Sequence, residues 1–310
     1  MSKATRDAYG EILKELGAEN KDIVVLDADL SSSTKTKVFA EAFPDRFFNT
    51  GIAEANMIGV AAGLASCGKI PFASTFAVFG AGRAYEQIRN SVCYPRLNVK
   101  VAVTHSGLTV GEDGATHQML EDITLMRALP NMTVTVPADA NETKAIVRWA
   151  VGYKGPVYIR MGRAKCDDII PEDYKFVPGK SMELCQGSDV TIIACGIMTS
   201  KAVSAAKELE KQGIRARVIN MSSIKPIDEE AIIKAAKETG AILTCEEHTV
   251  NGGLGGAVAE VLAKNCPAIM SMIGTNDTFG ESGTADSLLE KYGLTADHIV
   301  EEAKKLLKRK

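Results

Sequence analysis

Short apolar runs alternate with helix-like stretches through most of this chain. The run "DIVVLD" (22–27) is typical of a buried strand, and the segment before it carries apolar residues at helical spacing. Further strands are predicted by "VKVAVT" (99–104), "MTVTVP" (132–137) and "PVYIR" (156–160), each followed by a loop or a helical stretch. This alternation favours an α/β fold, in which a mostly parallel sheet is covered by helices on both faces.

The pattern is interrupted once, after Arg163. The segment "CDDIIPEDYKFVPGK" has two prolines, several charges and no hydrophobic period, which is typical of a linker. A second alternating series begins at "DVTIIAC" (189–195) and predicts a smaller α/β domain. We therefore expect a first domain over residues 1–165, a linker over 166–186 and a second domain over 187–310.

The composition excludes several classes of protein. A length of 310 residues leaves room for two cores, and 45% hydrophobic with 24% charged residues is usual for a soluble globular protein. The net charge of -3 gives no reason to expect nucleic-acid binding. No apolar run approaches the roughly 20 residues of a membrane helix and no signal peptide is recognisable, so we expect a cytoplasmic protein. The seven cysteines form no CxxC pair, which argues against a zinc or redox motif.

One polar loop carries several imidazole and carboxylate side chains that could bind a ligand. The stretch "HSGLTVGEDGATHQ" (105–118) contains two of the chain's four histidines, His105 and His117, together with Glu112 and Asp113. It begins where a predicted strand ends, and open α/β sheets bind ligands at the carboxyl ends of their strands. The alternative is a mobile polar loop. We favour a binding site, because imidazoles can donate hydrogen bonds to phosphate or hydroxyl oxygens and Asp113 can accept them.

Glu54 is a second candidate, at the head of an apolar helix predicted to run to Ala65. The segment has almost no charge until Lys69, so we expect the helix to be buried on most sides. A carboxylate in a first helical turn commonly does no more than compensate the helix dipole. A buried carboxylate nevertheless needs a partner, which keeps a functional interpretation open.

Two further motifs give weaker evidence for a functional site. Phe76 and Phe79 lie beside a glycine-rich turn in "STFAVFGAGR", and aromatic residues three apart usually belong to a core. The motif "NGGLGG" (251–256) does not fit the dinucleotide-binding pattern, because Val258 stands where glycine or alanine is required. We expect His248 to be a structural loop residue.

Six motifs follow one another along the first domain: "ATRDAYG" (4–10), "LDADLSSST" (26–34), "FPDRFFNTGIAEANM" (43–57), "PFASTFAVFGAGRAYEQIR" (71–89), "HSGLTVGEDGATHQ" (105–118) and "VYIRMGR" (157–163). In order and spacing they resemble the C-terminal half of the transketolase family of thiamine diphosphate enzymes. The second domain is similar to the family more weakly, through "IKPID" and "EEHTVNGGLGGAVAE".

The resemblance implies a thiamine diphosphate-binding fold that holds the pyrimidine of the cofactor, followed by a transketolase C-terminal-like domain. In the family a further module holds the diphosphate with a GDG motif, a later Asn and Mg²⁺ or Ca²⁺. No GDG occurs in this sequence. The similar string "EDG" (112–114) belongs to the polar loop. We therefore expect a separate N-terminal subunit that carries this module and its metal, and an α2β2 assembly of the two subunits. No metal ligands are expected in this chain.

Residue roles follow from the resemblance position by position. The residues that match cofactor contacts are Glu54, Phe76, Phe79 and Asp29. Glu54 matches the catalytic glutamate that hydrogen-bonds N1′ of the aminopyrimidine ring, and the two aromatic residues match a pocket around that ring. The "FGAGRAYEQ" turn differs in length by one residue from relatives, so Gly82 and Tyr85 receive no role.

Other positions match contacts to a sugar phosphate substrate. The residues implied to hold the sugar phosphate are Arg6, Ser33, His105 and Arg163. Two guanidinium groups suit a dianion, since each offers a fixed fork of donors. Asp113 matches the residue that reads a substrate hydroxyl, and His117 matches a catalytic histidine near the reacting carbons. The implied activity is transfer of a two-carbon ketol unit from a ketose phosphate, such as xylulose 5-phosphate, to an aldose phosphate.

Three rival functions stay open. The β subunit of a 2-oxoacid dehydrogenase has the same two-domain plan, but its substrate has no distal phosphate and would not need Arg6, His105 and Arg163 together. A 1-deoxyxylulose-5-phosphate synthase shares "PDR", "IAE" and "THQ", but is normally one long chain. A non-catalytic assembly subunit would not require an acid at Glu54.

Overall fold

The alternation predicted from the sequence is present in the computed structural model, which describes residues 2–310. The helices are α1 Thr5–Glu19, α2 Ser31–Thr34, α3 Lys37–Ala42, α4 Glu54–Ser66, α5 Tyr85–Gln87, α6 Asp122–Ala128, α7 Ala140–Gly152, α8 Met198–Lys211, α9 Glu229–Thr239, α10 Leu254–Asn265, α11 Ala285–Lys291 and α12 Ala296–Leu307. The strands are β1 Lys3–Ala4, β2 Ile23–Asp27, β3 Phe47–Asn49, β4 Ile70–Ser74, β5 Lys100–Val103, β6 Thr133–Thr135, β7 Val157–Arg160, β8 Lys165–Cys166, β9 Met182–Cys185, β10 Val190–Ala194, β11 Ala216–Asn220, β12 Ser223–Lys225, β13 Ala241–Thr249 and β14 Ile269–Thr275.

The first sheet has the strand order β12-β6-β7-β5-β4-β2-β3. All of its pairings are parallel except that of β12 with β6. β12 comes from the second half of the chain, a pairing that the sequence did not predict. Its antiparallel contact covers the backbone of β6, which would otherwise be an open edge. The fold class predicted from the sequence, parallel sheets covered by helices in two domains, is confirmed.

The second sheet has the order β14-β13-β10-β11-β9, with β9 as an antiparallel edge strand. The segment predicted to be a linker therefore ends in a strand of this sheet. At its other end, Cys166 of β8 pairs with Lys3 of β1. Between these strands, Asp139 Oδ2 accepts the backbone N–H groups of Ile169 and Ile170 at 2.7 Å each, so the segment is fastened to the first domain.

Residues 2–310 contain three apolar clusters, and one of them is shared by the two sheets. A single cluster of buried side chains contains Val134 and Tyr158 of the first sheet together with Ile219, Ile224 and Val258 of the second half. The domains are thus packed through hydrophobic surface rather than joined by a linker alone. Such contact allows side chains of one domain to fix the backbone of the other.

His248 differs from its predicted position in a loop. It lies within β13 and is fully buried. Its Nε2 accepts the backbone N–H of Ile123 in the first domain at 3.1 Å, so its Nδ1 carries the proton and donates to the carbonyl of Thr249 at 2.7 Å. Burial lowers the pKa of His248 to about 4, and the ring is a neutral link between the domains.

The expectation that the helix of Glu54 is buried on most sides is wrong for this chain by itself. One face of α4 is buried, but the opposite face, which carries Asn56, Gly59, Val60 and Gly63, is exposed. Small apolar residues give no contrast between two helix faces, so hydropathy could not separate them. No helix within residues 2–310 is both long and apolar enough to cross a bilayer.

Candidate functional site

The residues singled out by the sequence gather at one edge of the first sheet. Phe76 follows the end of β4, His105 follows β5 and Glu54 follows β3, all at the carboxyl ends of parallel strands. Phe76 forms an isolated parallel bridge with Thr104, which brings the segments after β4 and β5 together. Such an edge is where open α/β sheets place their ligands.

His105 and Arg6 form one polar unit at this edge. Nη1 of Arg6 lies 3.2 Å from Nε2 of His105 and 3.1 Å from the carbonyl oxygen of Ser33. Because a guanidinium only donates, Nε2 of His105 is the acceptor and its Nδ1 carries the proton. That proton is donated to Oγ1 of Thr104 at 2.8 Å. His105 therefore orients the cation of Arg6 through a neutral ring.

The electrostatics agree with a neutral His105. Burial, with smaller contributions from the charges of Arg6 and Arg163, lowers the pKa of His105 to about 3. Burial likewise lowers the pKa of the Arg6 guanidinium, with a smaller contribution from Arg163. The charge of Arg163 therefore acts on both Arg6 and the uncharged imidazole of His105, while Asp7 acts on Arg6 in the opposite direction. An anion bound by both arginines would relieve their repulsion.

A stacked aromatic pair continues from His105. The ring of Phe76 lies 3.7 Å from that of His105, and the ring of Phe79 lies 5.9 Å from Phe76 at an interplanar angle of 12°. His117 meets both phenyl rings edge-on, at 5.5 Å from Phe79 and 6.3 Å from Phe76. Its Nδ1 lies 2.9 Å from Oγ1 of Thr116. The two histidines of the polar loop (residues 105–118) therefore flank one aromatic surface.

Glu54 is buried at the far end of this surface, and its partner is Arg83. Nη1 of Arg83 lies 3.3 Å from Oε1 of Glu54, while the guanidinium carbon lies 4.2 Å from the centre of the Phe79 ring. The sequence interpretation missed Arg83. A signal was available, since a cation four residues after Phe79 would lie over its ring on a helical turn.

The turn that carries Phe79 and Arg83 is wound as a π-helix over Val78–Arg83, and a second π-helical stretch covers Ile88–Cys93. A π-helix takes an extra residue into a turn and occurs often at functional sites.

We define the aromatic–polar strip as the contact series Ser33, Arg6, His105, Phe76, Phe79, Arg83 and Glu54, with His117 beside it. Arg163 is joined to it through the polar loop, where Nη1 contacts the carbonyl of Val110 and lies 3.0 Å from Oε2 of Glu112. The sequence interpretation had noted Glu112 without giving it a role.

Besides Arg163, two predicted residues lie outside the strip. Asp113 is exposed on the polar loop. Asp29 is exposed after β2, with φ of +64°, and its Oδ1 accepts from Nδ2 of Asn49 at 3.1 Å. Oδ1 of Asn49 in turn accepts the N–H of Gly51 at 3.0 Å, just before Glu54. Asp29 is therefore tied to the approach to Glu54 without contacting it.

One end of the strip, formed by Glu54, Phe76 and Phe79, fits the aminopyrimidine ring of a cofactor. Glu54 offers a buried carboxylate whose partner cation is 55% exposed and free to move aside. Phe76 and Phe79 offer flat apolar surface next to it, which suits a planar ring. Within residues 2–310 no group of three or more His, Cys, Asp or Glu side chains is arranged to hold a metal ion.

Two family models match this sequence. One is described as the transketolase pyrimidine binding domain and matches residues 1–167. The other is described as the transketolase C-terminal domain and matches residues 179–299. Family membership of this kind implies the use of thiamine diphosphate.

Individual proteins are similar over nearly their whole lengths. A solved split-gene transketolase, an inactive beta4 tetramer, is 60% identical with a TM-score of 0.93, over 98% of both chains. A protein of Methanocaldococcus jannaschii, provisionally named a transketolase C-terminal section, is 54% identical over 98% of this chain and 97% of its own. The 6-deoxy-6-sulfo-D-fructose transketolase subunit of Clostridium sp. (strain MSTE9) is 45% identical, over 98% and 95%.

Proposed function

Because this chain belongs to the transketolase family, we propose that it is the C-terminal subunit of a split transketolase. Together with an N-terminal partner subunit, in an α2β2 assembly, it transfers a two-carbon ketol unit from a ketose phosphate to an aldose phosphate. The observation that carries the proposal is the unbroken contact series from the buried carboxylate of Glu54, through stacked aromatic rings, to the guanidinium of Arg6.

Glu54, Phe76 and Phe79 hold the aminopyrimidine ring in this proposal, with Asp29 near the cofactor. When bound, thiamine diphosphate supplies the carbon nucleophile that carries the ketol unit between sugars. Glu54 exchanges a hydrogen-bonded proton with N1′ of the ring, which requires Arg83 to release the carboxylate. The partner subunit holds the diphosphate together with Mg²⁺ or Ca²⁺.

The sugar lies along the other half of the strip. Arg6 and Arg163 bind its terminal anion, and His105 keeps the Arg6 fork in place from behind, with Ser33 beside it. Asp113 accepts from a sugar hydroxyl. His117, which is partly exposed at the edge of the aromatic pair, donates to or accepts from the oxygens near the reacting carbons.

The terminal anion of the natural sugar could be a phosphate or a sulfonate. A relative that is 45% identical is named for a sulfonated fructose, and a sulfonate and a phosphate both suit a pair of guanidinium groups. We propose a phosphorylated donor such as xylulose 5-phosphate, because two arginines match a dianion better than a monoanion.

The test is ketol transfer by the chain reconstituted with the partner that carries the GDG…Asn module. Donors would be xylulose 5-phosphate, fructose 6-phosphate, 6-deoxy-6-sulfofructose and unphosphorylated fructose, each with ribose 5-phosphate as acceptor. We expect transfer from phosphorylated donors. Turnover of 2-oxoacids alone, or condensation of pyruvate with glyceraldehyde 3-phosphate, would instead support a dehydrogenase subunit or a deoxyxylulose-phosphate synthase. A complex that binds the cofactor but turns over none of these substrates would indicate an assembly subunit.

A further inference from the structure

A carboxylate of the second domain reaches into the polar loop of the first. Glu247 lies near the end of β13 and is buried. Its Oε1 accepts a hydrogen bond from the backbone N–H of Thr109 at 2.5 Å. The carboxylate also lies against Gly107, where φ is +80° and where any side chain would collide with it. Glycine at 107 thus allows both the backbone conformation and the close approach of Glu247.

The base of the loop is closed around the same strand. The N–H of Gly107 donates to the carbonyl of Met119 at 2.9 Å and joins the two ends of the loop. Arg160, buried at the end of β7, donates through Nη2 to the carbonyls of Met119 at 3.2 Å and Glu247 at 3.1 Å. Its Nε donates to Oδ2 of Asp122 at 2.8 Å, which compensates the buried charge. Arg160 therefore ties both domains to the base of the loop.

The loop needs this support, because its backbone is strained where it begins. His105 has φ of +57°, in the left-handed region. A non-glycine residue stays there only where the surrounding structure holds it. On one side His105 is anchored by β5, and on the other the segment 107–109 is held by Glu247. A shift at Thr109 would therefore reach the His105 ring within a few residues and disturb its contacts.

We infer that Glu247 is a positioning residue of the reaction, whose carboxylate fixes the polar loop so that His105 and His117 stay beside the aromatic pair. The inference rests on the proposed function, because the geometry that Glu247 preserves is that of the sugar-binding half of the strip. It gives the second domain a part in turnover beyond assembly. Glu54, Phe76 and Phe79 all lie outside the loop, although Phe76 stacks on His105, so we expect cofactor affinity to depend on Glu247 much less than sugar binding does.

The test compares changes at Glu247 in the chain reconstituted with its partner subunit. Glu247→Ala and Glu247→Asp both withdraw the acceptor from Thr109, and the aspartate keeps the charge should the alanine variant fail to fold. Glu247→Gln retains an acceptor oxygen at the same reach. Glu246→Gln is the matched control, because Glu246 is equally buried but accepts from the backbone of Leu254 and Gly255 within its own domain.

We expect the alanine and aspartate variants to lower kcat/KM for the ketose phosphate about 10- to 100-fold, as small displacements of binding groups do. The Kd of thiamine diphosphate should change much less than kcat/KM in these two variants, and both values should stay near those of the parent in Glu247→Gln and in the control. Amide hydrogen exchange of the 105–118 peptide should rise in the same two variants. Parental kcat/KM in both, or an equal loss in Glu246→Gln, would overturn the inference.

Unchanged exchange of that peptide would overturn it as well, whatever the activity of the parent complex. A parent complex that transfers no ketol unit, but whose loop loses protection in the alanine variant, would contradict the proposed function instead. The two failures are therefore distinguishable.

Discussion

Arg83 holds the carboxylate of Glu54 while covering the ring of Phe79. Its Nη1 lies 3.3 Å from Oε1 of Glu54, and its guanidinium carbon lies 4.2 Å from the centre of the phenyl ring. A planar cation with N–H donors thus occupies the two groups that we assign to the aminopyrimidine ring. The side chain of Arg83 is 55% exposed whereas that of Glu54 is 5% exposed, so the arginine is the partner that can leave.

We predict that Arg83→Ala tightens the binding of thiamine diphosphate to the reconstituted complex, because the guanidinium no longer competes for Glu54. Exposed ion pairs contribute about 0.2–1 kcal/mol, so Kd should fall by a factor of up to about five. Calorimetry measures the Kd, with Arg89→Ala as control. Arg89 is exposed six residues further along the chain, and its side chain donates a hydrogen bond to the neighbouring Asn90. Weaker binding in Arg83→Ala would mean that the arginine is part of the cofactor site.

The terminal anion of the sugar gives a second prediction. Arg163→Ala and, separately, His105→Ala should raise KM for phosphorylated donors about 10- to 100-fold, since a charge-assisted hydrogen bond contributes about 1.5–3 kcal/mol. His105 acts through Arg6, because its Nε2 accepts a hydrogen bond from Nη1 of Arg6. Unphosphorylated donors should be affected little, and steady-state kinetics with both donor types measures the difference.

The matched control for Arg163→Ala is Arg148→Ala. Arg148 is about half exposed on α7 and pairs with Glu15 and Glu19, away from the strip. Equal increases in KM for phosphorylated and unphosphorylated donors in Arg163→Ala would show that Arg163 does not read the phosphate.

The neutral state of His105 gives a third prediction, on stability against pH. An unfolded histidine has a pKa of about 6.5, whereas burial lowers that of folded His105 to about 3. The folded pKa is the lower one, so this stability is fully present above about pH 6.5 and is lost as the pH falls toward about 3. At pH 5 the loss should be on the order of 2 kcal/mol.

Urea unfolding of the chain at pH 7.5 and pH 5 tests this. The parent should lose more free energy of unfolding on acidification than His105→Ala, which lacks the buried imidazole. His248, whose pKa is lowered to about 4 by burial, is present in both proteins and cancels in the difference. Equal losses in the parent and the variant would show that His105 titrates normally.

Much of the architecture could be predicted from the sequence, because apolar runs and helical spacing are local patterns that indicate individual strands and helices. The run 22–27 became β2, the run 99–104 became β5, and the helix expected from Glu54 to Ala65 became α4 with one residue more. The aromatic and histidine residues of the strip were also identifiable, since strand ends lie at a common edge of a parallel sheet.

Contacts between distant segments could not be predicted in the same way. β12 has three residues and becomes a strand only by pairing with β6. Glu247 is one of two adjacent glutamates, and nothing local shows that its neighbour Glu246 stays within its own domain while Glu247 crosses to Thr109. The π-helical winding before Arg83 depends on packing that has no periodic signature in the sequence.

The central claim is that Glu54 acts on a bound cofactor rather than serving as a helix-head carboxylate. Glu54→Gln keeps the size of the side chain and can hydrogen-bond a pyrimidine, but it cannot exchange a proton at N1′. The fold and cofactor affinity should survive, while kcat falls about 10²–10⁴-fold, the usual contribution of a general acid–base group. The loss should be similar for every donor and acceptor, because Glu54 lies at the cofactor end of the strip. Glu86→Gln, at an exposed position on α5, is the control.

The most direct measurement is the rate of hydrogen–deuterium exchange at C2 of thiamine diphosphate bound to the reconstituted complex, quenched by acid and read by NMR. We expect exchange to slow in Glu54→Gln by a factor comparable to the fall in kcat, while Glu86→Gln exchanges as fast as the parent. Exchange in Glu54→Gln as fast as in the parent would show that Glu54 is a structural residue and has no part in catalysis.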